Sequence, residues 1–78
     1  MRRKQLKLVV TFHTTAAAMA MERHCQEQGL PGRLIPVPRT LSAGCGLAWC
    51  TDTEQRAALR ALMDRAGLEE EGIHECLV

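Results

Sequence analysis

Aromatic side chains are almost missing from this chain. Phe12 and Trp49 are the only two, there is no tyrosine, and together they make 3% of 78 residues. Nucleic-acid surfaces combine basic stripes with aromatics that stack on bases. Neither is present: ten basic residues meet nine acidic ones, a formal net charge of +1. Also lacking are an apolar run approaching the length of a membrane span and the apolar segment of a secretory signal near the N-terminus. The expectation is a cytoplasmic protein with neither nucleic acid nor membrane as partner. Arg2-Arg3-Lys4 is the single basic cluster, and residues 1–5 read as a solvated basic tail.

Cysteine is not scarce, but Cys-x-x-Cys is. Cys25, Cys45, Cys50 and Cys76 stand too far apart for zinc-ligand spacing, and the three histidines form no compact set with them. No metal and no cofactor is therefore expected. Without an export signal the thiols are read as free. A Cys45–Cys50 bridge is excluded if residues 46–50 are extended. Five strand steps span roughly 16 Å, and a disulfide needs its alpha carbons within about 7 Å.

What the chain does have is a hydrophobic fraction of 46% against 24% charged residues, enough for one small core. Residues 1–78 form a single domain with no room for an internal substrate chamber, so any chemistry belongs at its surface. Leu6, Leu8, Val10 and Phe12 alternate as one face of a strand, the face that meets the helices. Thr14 or Thr15 then caps a helix running to about Gln28, ended by Gly29 and Pro31. Arg33–Val37 and Gly46 to about Cys50 read as two further strands. Thr51-Asp-Thr-Glu54 matches a capping box opening a second helix to Ala66, with Gly67 after it. Its apolar face is Ala58, Leu59, Leu62, Met63 and Ala66. Gly72–Val78 is the last strand, at an edge, because Glu75 interrupts its alternation.

The order β-α-β-β-α-β is that of the ferredoxin-like split βαβ arrangement: an α+β fold with a four-stranded antiparallel sheet and two helices on one face. In that topology the end of the first strand, the start of the first helix and the loop between strands two and three share one rim. His13, Thr14 and Cys45 are thereby expected on the same edge.

The loop is the chemically suggestive stretch. Pro36 and Pro38 mark a rigid exit from the second strand, and Ser42-Ala43-Gly44-Cys45-Gly46 follows. A thiol between two glycines is open to a macromolecular partner. Its thiolate fraction rises near a helix N-terminus or a cation, and the rim offers the first helix's amides and Arg39. His13 is the candidate proton partner, and Ser42 bonds loop backbone. Cys25, Cys50 and Cys76 read as structural thiols, and His24 and His74 as surface residues.

Phe12-His-Thr-Thr, Ala20-x-Glu22, Gln28-Gly29-Leu30, Leu34-Ile-Pro-Val-Pro-Arg39, Leu41-Ser42 and Cys45-Gly46-Leu47-Ala48 together resemble a family of small bacterial domains of unknown function, described as selenium/sulfur carrier-like proteins. The resemblance spans roughly residues 6–75. It implies a cytoplasmic thiol carrier rather than a turnover enzyme, with Cys45 as the carrying residue. The implied partners are a donor such as a cysteine desulfurase or selenocysteine lyase, and a protein acceptor. Similar sequences have a serine-rich run before the cysteine where this chain has Ala43-Gly44, which leaves backbone amides to steady a thiolate.

Two other readings compete. One is a non-catalytic interaction module that forms a homodimer or docks through the open face of its sheet. The other is a thiol redox protein, which would need a resolving thiol close to Cys45.

Overall fold

The computed structural model describes residues 5–38, 41 and 46–77. Among them the elements are β1 (Leu6–Thr11), α1 (Thr15–Gln28), β2 (Arg33–Pro36), β3 (Leu47–Asp52), a single 3₁₀ turn (Thr53–Gln55), α2 (Arg56–Ala66) and β4 (Gly72–Leu77). The strands form one antiparallel sheet in the order β2-β3-β1-β4. This is the expected α+β ferredoxin-like arrangement, with the two middle strands of the sheet coming from the two halves of the chain.

Periodicity explains the packing. Leu8 and Val10 on β1, Phe12 just after it and Trp49 on β3 pack with Ala18, Met21 and Cys25 of α1 and Leu59, Leu62 and Met63 of α2. All are at most 2% exposed. Each large side chain among them contributes about 1.5–3 kcal/mol by leaving water. With so few aromatics, Trp49 and Phe12 are the largest buried groups. Leu6, expected on that face, is too close to the strand's start to be covered and stays 51% exposed.

The helix ends follow local chemistry. Thr14 holds extended backbone, and its hydroxyl accepts from the Ala17 amide at 3.1 Å. Gly29 ends α1 at φ 71° and Gly67 ends α2 at φ 70°, a conformation that costs glycine least. Gly32 is constrained differently. A Cβ there would stand 2.6–2.7 Å from three atoms of the Trp49 indole, so the chain can pass over the ring only as glycine. The Trp49 indole nitrogen, sealed beneath it, has no acceptor among the described residues.

One expectation fails. Thr51-Asp52-Thr53-Glu54 is not a capping box: β3 continues through Asp52, a 3₁₀ turn intervenes, and neither Asp52 nor Gln55 caps with its side chain. The ladder wins over the cap because Thr51 and Asp52 pair with Leu8 and Lys7. The Thr51 hydroxyl, nearly buried, donates to the Pro31 carbonyl at 2.8 Å, while Asp52 is held by the Lys7 ammonium. Val78 lies outside the described residues, so the last strand is followed only to Leu77.

Candidate functional site

The β2–β3 connection and the start of α1 come to one end of the sheet. Thr11 at the end of β1 pairs with Ala48, and Pro36 at the end of β2 pairs with Leu47. Beyond the formal strands, the Val37 amide donates to the Gly46 carbonyl at 3.0 Å. This bond prolongs the ladder and draws the two ends of residues 38–45 together. Gly46 turns the chain at φ 76°, with nothing within 4 Å of a would-be Cβ. Its glycine serves the backbone conformation rather than a close approach. The Leu41 amide donates to the Pro38 carbonyl at 2.9 Å.

Of the residues expected at this rim, His13, Thr14, Pro38 and Gly46 are described; Arg39, Ser42, Gly44 and Cys45 lie outside the described residues. Thr14 is the N-cap, and the first turn of α1 carries no acidic side chain, so the positive end of the helix is not neutralised within its own turn. His13 is two-thirds exposed, and its Nδ1 lies 3.2 Å from a carboxylate oxygen of Glu71. Glu71 also donates its amide to the Thr11 carbonyl at 2.7 Å. Sequence reasoning missed this acid because Glu71 stands 58 positions after His13 (71 − 13), and only the β1–β4 pairing brings the two together.

Three cysteines lie among the described residues. Cys25, Cys50 and Cys76 are free. Cys25 is fully buried in α1, and burial pushes its pKa up to about 11. Cys50 is 8% exposed. Burial raises its pKa most, Arg33 and Lys7 pull back, and Asp52 and Cys76 add to the rise. Cys76 is half-buried on β4. Burial thus disfavours the thiolate, the nucleophilic and metal-binding form, at both buried thiols. No group of three or more His, Cys, Asp or Glu among the described residues could hold a metal ion.

A groove of about 280 Å³ opens at the other end of the sheet, between Pro31, Gly32 and Arg33 on one side and Cys50, Thr51 and Asp52 on the other. Burial disfavours the thiolate of its Cys50, the hydroxyl of Thr51 is committed to Pro31, and Lys7 is engaged by Asp52.

The element order and the antiparallel sheet define a small α+β domain of ferredoxin-like topology. A family profile described as "Putative Se/S carrier protein-like" matches residues 7–75, and the chain belongs to that family. No curated protein and no solved structure matches it. No helix among the described residues is long and apolar enough to cross a membrane.

Proposed function

We propose that the protein is a sulfur or selenium carrier that holds a persulfide or selenosulfide on Cys45 between a donor and an acceptor protein in the cytoplasm. Family membership across residues 7–75 carries this reading. The described rim is compatible with it: Val37 and Gly46 are hydrogen-bonded at the end of the sheet, and the first turn of α1 carries no acidic side chain. Cys25 and Cys50 are buried, and burial raises the pKa of both, which disfavours the thiolate at either position.

The transfer is isoelectronic overall. The Cys45 thiolate attacks the terminal sulfur or selenium of a donor's cysteine persulfide or selenosulfide. A bond forms from Cys45 Sγ to that atom, the donor's bond to it breaks, and the donor cysteine leaves as thiolate. No external oxidant or reductant is required. His13, oriented by Glu71, takes the thiol proton at the start, and Arg39 steadies the negative charge. Gly44 and Gly46 keep side chains away from the terminal atom, Pro38 stiffens the approach, and Ser42 and Thr14 supply hydroxyls to loop and helix backbone.

Incubation with a cysteine desulfurase and cysteine, or a selenocysteine lyase and selenocysteine, followed by intact mass measurement, tests the reading. Wild type should gain one sulfur or selenium atom, and Cys45→Ser should gain none. An equal adduct on Cys45→Ser would remove Cys45 from the role.

A further inference from the structure

The two edges of the sheet are protected unequally. β2 has four residues, ends at Pro36 and is followed by Pro38, and proline blunts an edge by removing amides. β4 has six residues, Gly72–Leu77, with neither proline nor lysine. Its Leu77 is 64% exposed, the highest value among the exposed large hydrophobic residues. The face away from the helices is less inviting, because Val9, Thr11 and Ala48 on it are already inaccessible to solvent. A partner surface is therefore better sought along the β4 edge.

The phase of the ladder says which groups that edge presents. The Val37-to-Gly46 bond marks a hydrogen-bonded pair, and alternation along the registers of the sheet carries the phase across. Gly72, His74 and Cys76 turn their backbone groups inward to β1, while Ile73, Glu75 and Leu77 turn theirs outward. The bond from the Glu71 amide to the Thr11 carbonyl agrees, since it shows Thr11 facing β4.

We infer that β4 pairs antiparallel with β4 of a second copy about a two-fold axis at Glu75, giving a continuous eight-stranded sheet. Three outward residues restrict the register. Only with Glu75 opposite its own copy are all three in hydrogen-bonded pairs, Ile73 with Leu77 of the other copy on either side. Shifting by two residues sets Ile73 or Leu77 against a Glu75 carboxylate and loses a pair. Shifting by one opposes inward groups to outward ones. The central glutamates are not left bare, because Arg56 Nη2 lies 3.3 Å from Glu75 Oε2 in each copy. The two-fold axis then brings two guanidinium groups and two carboxylates together, alternating in sign. All four helices lie on one side, and the β2 strands form the two outer edges of the joined sheet, away from the junction.

The open face reads the register. There His74 stands opposite Cys76 of the other copy in a non-hydrogen-bonded pair, with alpha carbons about 4.5 Å apart, inside disulfide range. His74→Cys should therefore form a reducible covalent dimer on mild oxidation, with position 74 of one chain linked to position 76 of the other by peptide mapping. Sedimentation of wild type should give twice the 8.6 kDa chain mass at chain concentrations up to about 1 mM. Glu75→Pro removes an outward amide and the exposed ion pair with Arg56, neither of which the helices depend on, so it should keep its helical circular dichroism and sediment as a monomer. The inference is overturned by a monomeric wild type at the top concentration, by a dimer that survives Glu75→Pro with its fold intact, or by linkage mapped as 74 to 74 or 76 to 76.

Discussion

His13 and Glu71 meet across the end of the sheet, Nδ1 to Oε1 at 3.2 Å, although one precedes the first helix and the other follows the second. A carboxylate at one ring nitrogen fixes the tautomer that leaves the other nitrogen able to accept a proton. Glu71 is therefore a positioning residue for the proposed proton partner. His13→Gln should slow the loading of Cys45 by about 100-fold, the low end of what a general base contributes, and Glu71→Gln by a smaller factor. Both variants should unfold within ~0.5 kcal/mol of wild type, as exposed positions do. Stopped-flow loading with urea melts beside it separates the two effects, and unchanged loading rates in both would remove His13 from the mechanism.

The buried Cys25 predicts an alkaline weakness. Its thiol is pushed from 9.0 up to about 11 by burial, so between those values the folded chain holds a proton that the unfolded chain has lost. Stability from this site is fully present below about pH 9 and falls as pH rises toward 11. The total is about 3 kcal/mol at 1.4 kcal/mol per unit. Urea midpoints from pH 8 to 11 should show the decline in wild type and a flatter profile in Cys25→Ala. Equal slopes would contradict the assignment.

Gly32 lies directly against the indole of the buried Trp49. A methyl group at position 32 would overlap the indole at 2.6–2.7 Å in a backbone conformation of φ 140° that side chains rarely adopt. Gly32→Ala should cost ~3 kcal/mol and shift the single tryptophan's emission to the red as the ring is uncovered. Chemical denaturation followed by fluorescence measures both, and a neutral substitution would show that the segment before β2 can move aside.

Thr51 acts as a strand residue rather than a cap. Replacing it by valine removes the hydrogen bond to the Pro31 carbonyl and should cost ~1 kcal/mol. Helical content should not change, because α2 begins at Arg56 without a side-chain cap. Glu54→Ala should be silent for the same reason. A loss of helical ellipticity in either variant would restore the capping box.

The strand and helix order was legible because period two and period 3.6 are both clean here. Leu8, Val10 and Phe12 mark one pattern, and Leu59, Leu62 and Met63 the other. Thr14, Gly29 and Gly67 punctuate the helices where their local chemistry predicts. The second helix start was misread because a Thr-x-x-Glu spacing is a local signal, and the pairing of Asp52 with Lys7 is a distant one that outweighs it. The Glu71 carboxylate and the Gly32–Trp49 contact were invisible for the same reason. Among the expected site residues, His13, Thr14, Pro38 and Gly46 can be followed, whereas Arg39, Ser42, Gly44 and Cys45 lie outside the described residues.

The most direct test locates the transferred atom among the four thiols. After loading by a desulfurase and cysteine, alkylation in the cold and digestion, the added sulfur should be found on the peptide containing Cys45, with Cys25, Cys50 and Cys76 alkylated as plain thiols or left unreacted. Sulfur recovered on Cys50 or Cys76 while Cys45 remains a plain thiol would contradict the account.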